Sequence, residues 1–135
     1  MKIYTESVPL QSSKPREAVN IHSRVKAAVD KSGLREGVCL VASLSSDCAL
    51  VLLQSDSDFL REFDGWLEQL GSDTAIQMGR FGGNFPAGVQ SLLLGRQLTI
   101  PFSEGRLDMG PGEAVFLIEL NGVRPRRVVV KILGE

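Results

Sequence analysis

An α+β fold, an antiparallel β-sandwich of about seven strands with two main helices, follows from three features of the sequence. Short apolar or alternating runs come in pairs, each pair joined by turn residues such as Leu44-Ser45-Ser46-Asp47 and Asn121-Gly122. Two stretches between those pairs carry apolar residues at helical spacing. The C-terminal third is strand-like throughout. Strands grouped into hairpins, with helices between the groups, predict antiparallel sheets in the order ββαββα(α)βββ. A chain of 135 residues predicts a single domain spanning 1–135. Such a length buries roughly two thirds of the unfolded surface, so no disulfide or metal staple is required.

In chain order, Lys2 to Val8 alternates polar and apolar residues and predicts an edge or half-buried strand. A turn at Gln11 to Pro15 leads to Ala18-Val19-Asn20-Ile21, a short strand expected to hairpin with the first. A helix then starts near His22-Ser23, shows an apolar stripe of Val25, Ala28 and Val29, and ends at Gly33. Val38 to Gln54 reads as two apolar strands folded back on each other around the tip Leu44 to Asp47. Ser55 and Asp58 have capping-box spacing. The helix after them carries Phe59, Phe63, Trp66 or Leu67, and Leu70 as a core-facing stripe, and stops at Gly71.

Met78 to Gly88 is glycine-rich and reads as a loop. It lacks the phosphate-loop and dinucleotide patterns. Val89 to Leu94 predicts a short helix closed by Gly95. Leu98 to Phe102 is a strand whose Pro101 implies an edge or a strand end. Ser103 to Arg106 is a turn, and Leu107 to Gly110 a short ladder segment. Ala114 to Leu120 is a buried strand, Asn121-Gly122 a hairpin turn, and Arg126 to Ile132 the returning strand. Arg124, Arg126 and Arg127 read as a solvated, edge-protecting basic patch, with a phosphate or carboxylate clamp as the sharper alternative.

Composition excludes several functions. A net charge of −1 argues against a nucleic-acid partner or an anionic membrane surface. No apolar run reaches the roughly 18–20 residues that cross a bilayer. The N-terminus alternates and carries an early acid, unlike a signal peptide. Cys39 and Cys48 face the interior of their strands, which predicts free thiols in a reducing cytoplasm. His22 is the only histidine. It reads as a helix-start residue with its ring in water, and a lone histidine builds no metal site in one chain. No cofactor and no metal are predicted.

Several segments together resemble the YjbQ-like family, also called the secondary thiamine-phosphate synthase family. They are Ser32-Gly33-Leu34-Arg35-Glu36-Gly37, Leu93-Leu94-Gly95, Leu98-Thr99-Ile100-Pro101, Gly105-Arg106-Leu107, Met109-Gly110, and Glu119-Leu120-Asn121-Gly122 with the arginines that follow. The resemblance spans nearly the whole chain. It implies a YjbQ-like domain, a homotrimer with sheets packed around a threefold axis, and a pocket at the Leu44–Asp47 tip. Against the family pattern, Pro-His-Thr-Thr is replaced by Leu44, Ser45, Ser46 and Asp47, and an Asn-Glu pair by Leu53 and Gln54. Gly-Asn-Ala-His-Ala-His becomes Gly83, Asn84, Phe85, Pro86, Ala87 and Gly88, and Trp-Gln becomes Gly112-Glu113. An upstream family histidine has no counterpart here.

Histidine is the usual acid/base group at neutral pH and the commonest metal ligand, and its replacements do neither job. The candidate ligand-binding residues are therefore Ser45, Ser46, Asp47, Asn84, Glu119 and Arg124, with no catalytic residue assigned. Ser45 or Ser46 becomes a nucleophile only beside a base, and Asp47 at an ordinary pKa is a poor one. The expected function is a trimeric, non-catalytic homologue that binds a small anionic, phosphorylated ligand. One alternative is a thiamine-phosphate-synthase-type enzyme with a rearranged site. The other is an interaction module acting through its surface.

Overall fold

The computed structural model describes residues 1–69 and 85–135. Its elements run β1 (Lys2–Gln11), β2 (Glu17–Asn20), α1 (His22–Ser32), β3 (Gly37–Ser43), β4 (Cys48–Gln54) and α2 (Ser57–Gln69). They continue with α3 (Phe85–Leu94), β5 (Gln97–Ser103), β6 (Arg106–Leu107), β7 (Glu113–Glu119) and β8 (Pro125–Gly134). A five-stranded sheet has the order β1-β8-β3-β5-β6, and a three-stranded sheet the order β2-β7-β4. Every pairing is antiparallel. This is the α+β architecture the sequence predicts, with the short ladder after β5 shifted to Arg106–Leu107.

The pairing within that architecture differs from expectation. Three of the strand pairs expected as hairpins, β1–β2, β3–β4 and β7–β8, are not hairpins. β1 pairs with β8 and β2 with β7; β3 pairs with β5 and β8, β4 with β7. The turns after β1, β3 and β7 thus each carry the chain from one sheet across to the other. Turn residues specify a reversal of direction, not which neighbour takes the backbone hydrogen bonds. Facing sheets offer their apolar faces to each other, so the two arms of such a reversal are joined by side chains instead. Among the described residues the one hairpin between sequential strands is β5–β6, closed by Glu104 (φ 54°) and Gly105 (φ 78°). Positive φ at both central residues is the geometry of a type I′ turn.

The main core lies between the sheets. Val8, Cys39, Val41, Ile100, Phe102, Val128, Val130 and Ile132 face Cys48, Leu50, Val115 and Leu117, and α1 adds Val25, Ala28 and Val29. A second core lies on the other face of the small sheet, where Ala49, Leu53, Ala114, Phe116 and Ile118 receive Leu67 of α2. β7 is covered on both faces, which is why it reads as one unbroken apolar run. β3 is not: its outward residues Val38 and Leu40 are 36% and 37% exposed. Its apolar composition on both faces therefore does not bury it.

Helix boundaries also shift. α2 is capped by Asp56, whose Oδ1 accepts the Asp58 N–H at 2.9 Å, while the Ser55 hydroxyl donates to the Gly112 carbonyl. The aspartate wins because Ser55 is drawn to β7. Within α2, Leu60, Phe63 and Leu67 pack on the sheet, and Phe59 and Trp66 are exposed. Leu70, the expected stop at Gly71 and most of the glycine-rich stretch lie outside the described residues. Phe85 to Gly88, expected as loop, instead opens α3. Pro86 falls in the first turn, where its missing N–H breaks no intrahelical bond. α1 ends at Gly33 in the left-handed region as expected, and Pro101 sits where β5 is flanked only by β3, since β6 reaches just Phe102 and Ser103.

Candidate functional site at the sheet crossovers

The three crossovers meet at one end of the sandwich. The β1–β2 crossover is tied to the β7–β8 crossover backbone to backbone, with the Ser12 N–H donating to the Arg124 carbonyl (3.2 Å) and the Gly122 N–H to the Pro15 carbonyl (2.9 Å). The Ser12 hydroxyl donates to the Arg124 carbonyl and accepts the Arg124 N–H. The Leu44 N–H at the start of the β3–β4 crossover donates to the Arg127 carbonyl.

At the centre stands Arg126. It alternates with Val128, Val130 and Ile132 on β8, so its side chain points inward and is only 5% exposed. Its Nε donates to Glu119 Oε1 at 2.9 Å and its Nη2 to Glu119 Oε2, a bidentate pair. Its Nη1 donates to Asp47 Oδ1 at 2.7 Å. Glu119, at the end of β7, is 0% exposed and also accepts the Asn121 N–H; Asp47 is 17% exposed and accepts from Asn121 Nδ2. One guanidinium thus serves two carboxylates, and both carboxylates have further donors.

The electrostatics follow from these contacts. Burial pushes the Asp47 carboxyl up, but hydrogen bonds from Asn121 and Arg126 and the Arg126 charge outweigh it, leaving the group below its usual value. Glu119 behaves alike: burial raises it, and Arg126, Ser12 and the Asn121 N–H bring it below the ordinary range. The Glu119 hydrogen bond above all raises Arg126 still further from deprotonation. Beside this cluster Cys48 is fully buried, and burial pushes its thiol up to about 12, as it does that of Cys39. Both are protonated, unreactive thiols.

The candidate residues separate into groups. Asp47 and Glu119 come together on Arg126. Ser45 lies next to them, its N–H on the Ser43 hydroxyl and its carbonyl accepting from Arg96 at 3.4 Å. Ser46 is exposed and borders, with Ser91, Leu92 and Arg96, a groove of about 320 Å³ against α3. The Arg124 side chain is exposed, and its backbone serves the Ser12 tie. Asn84 lies outside the described residues.

Arg126 and Asn121 were the residues missed, one read as part of a solvated patch and the other as a turn. The period-two pattern of β8 identifies Arg126 as inward, but a charge at such a position is legible as buried only once its partners are known. Among the described residues no three histidine, cysteine, aspartate or glutamate side chains are grouped to hold a metal. No helix among them is long and apolar enough to cross a membrane.

A sheet-on-sheet core with α2 on the outer face of the small sheet, and with the crossovers after β1, β3 and β7 bound together at one end, defines an α+β sandwich. Residues 6–135 match the family described as UPF0047 protein YjbQ-like. A UPF0047 protein of Methanothermobacter thermautotrophicus is 30% identical over 136 residues, covering 100% of this chain and 95% of that one. One from Archaeoglobus fulgidus is 28% identical, covering 92% and 97%. The fold superposes on a crystal structure of a YbjQ-like protein of unknown function from Sulfolobus solfataricus with a TM-score of 0.93, at 26% identity and 99% coverage of both chains. A YjbQ/UPF0047 protein of Clostridium acetobutylicum gives 0.89 at 26% identity, covering 95% and 99%. The chain belongs to the UPF0047 YjbQ-like family.

Proposed function

We propose that this chain is a non-catalytic, trimeric YjbQ-like protein that retains a place for a small anionic ligand beside the crossovers. One observation carries the first part. At the tip, Ser45 stands where the family pattern has its histidine, and the one acid beside it, Asp47, is bound by Arg126 and Asn121. A carboxylate held below its ordinary pKa and occupied on both oxygens is a poor general base. Ser45 and Ser46 therefore lack the partner that would make either a nucleophile. Arg126, already shared between Asp47 and Glu119, is likewise not available as a phosphate clamp.

The ligand part rests on what remains accessible. Ser46 and Arg96 border an open groove at the tip, a donor pair suited to phosphate or carboxylate oxygens. Two buried, protonated thiols fit a cytoplasmic protein. The trimer is supported by the outer face of the large sheet. Register places Ile3, Leu133, Val38 and Pro101 in one cross-strand row there, with Ile3 63% exposed. An apolar row open on a sheet face is a typical contact surface.

The test is a thiamine-phosphate synthase assay with purified protein, run with added divalent metals, together with elemental analysis. We expect turnover at the blank level and no stoichiometric transition metal. Turnover well above blank would establish the alternative, an enzyme with a rearranged site in which buried Glu119 keeps a role. Inorganic phosphate titrated against wild type and Arg96→Ala tests the groove; equal binding to both would remove it.

A further inference from the structure

A second cavity lies at the other end of the sandwich. β3 begins at Gly37, opposite Phe102 at the end of β5, while the Leu44–Asp47 tip follows Ser43 at the far end. At the Phe102 end, α1 and β6 enclose about 200 Å³, bordered by Val29, Leu107 and Met109 on the apolar side and by His22, Lys26 and Arg106 on the polar side. Glu113 also borders it, but its Oε1 is occupied by the Gly110 N–H at 2.9 Å.

His22 is where sequence and structure part. Its ring was expected in water, yet its Nδ1 is buried and is the one buried side-chain nitrogen or oxygen without a hydrogen-bond partner among the described residues. With no acceptor beside Nδ1, the proton belongs on Nε2, which makes Nε2 the ring's donor. Burial, with the Lys26 charge adding to it, lowers the His22 pKa and keeps the ring neutral. The cavity rim therefore offers two cations and a neutral donor beside an apolar wall, with one carboxylate, Glu113, turned to the Gly110 N–H.

We propose that this cavity is a binding site for a small organic carboxylic acid. The apolar body would lie against Val29, Leu107 and Met109, and the carboxylate would be held by Arg106 and Lys26 with a hydrogen bond from His22. The volume suits a monocyclic or short branched acid; it is below the roughly 300–1,000 Å³ typical of sites for drug-sized ligands. Such a ligand would use the donor set and exclude water from the apolar wall at the same time.

Phenylacetate is the probe, followed by calorimetry and by the NMR signals of the His22 ring and the Met109 methyl. Saturable binding is expected, with both signals shifting, and weakened at least about tenfold by Arg106→Glu or Lys26→Glu, each an exposed position where the fold is not at stake. Phenylacetamide, the same body without the charge, is expected to bind at least about tenfold more weakly. The proposal is overturned by any of four results: no saturation up to about 10 mM, equal binding of the amide, unmoved His22 and Met109 signals, or inorganic phosphate competing as well as phenylacetate.

Discussion

Arg126 is the side chain on which the crossover end depends. Glu119 is fully buried, and removing its partner leaves a carboxylate with no compensating charge. Arg126→Met is expected to cost about 3–5 kcal/mol in urea unfolding. Combining it with Glu119→Leu should cost clearly less than the sum of the two single changes, because the pair is removed together. Acid should act through the same groups. Asp47 and Glu119 are both held below their ordinary values of 3.8 and 4.5, so in the acid range the folded chain binds fewer protons than the unfolded one. Their contribution is complete above those ordinary values and disappears as pH falls through the lower, folded ones. A plot of unfolding free energy against pH should decline below about pH 5, and Arg126→Met should flatten that decline.

Two backbone positions test how the elements are held. At Gly37 (φ 155°), a Cβ would fall on the Leu133 carbonyl, with the Gly134 Cα 2.8 Å away. Gly37→Ala must push β3 from β8 and is expected to lose about 1–3 kcal/mol in the same assay. The β5–β6 turn should respond in the opposite sense. Glu104 holds φ 54°, a region that costs most side chains about 1–2 kcal/mol. Asparagine tolerates it, so Glu104→Asn, which creates the preferred Asn-Gly pair, should raise the thermal midpoint by a contribution of about 0.5–1 kcal/mol. Such local chemistry is what the residues convey well. Gly33 as a helix stop, the doubly buried Ala114–Ile118 run and the amphipathic α2 are all readable from spacing. The shift of the α2 cap to Asp56 was not, because it depends on Ser55 finding Gly112, 57 residues away. The Arg126 cluster failed to show for the same reason: its members lie 7 and 79 residues apart and meet only across the two sheets.

For the whole molecule, the exposed row Ile3, Leu133, Val38 and Pro101 carries the assembly reading. Light scattering at micromolar concentration is expected to give three times the 14.7 kDa chain mass. Val38→Glu, at a position exposed in the single chain, should yield folded monomer. A wild-type monomer would reject the trimer, and a Val38→Glu trimer would move the interface elsewhere. What separated the expected strand pairing from the observed one is a single kind of error: strand pairs read as local are paired with distant partners. Turn residues announce a reversal; only the burial pattern of both sheets decides whether it stays in one sheet.

The crossovers also set an order on how this chain can fold. With few local hairpins available, the large sheet has no pair to start from near the N-terminus. Among the described residues β1 has β8 as its only partner, with Lys2 opposite Gly134, and β2 waits for β7. A chain growing from a ribosome therefore exposes β3 without a sheet neighbour until β5 emerges, β4 until β7 and β1 until the last strand, β8. Contacts this distant in sequence are slow to form, on the order of milliseconds to seconds in proteins dominated by them. During that interval β3, apolar on both faces, is the segment most exposed to pairing with a neighbouring chain.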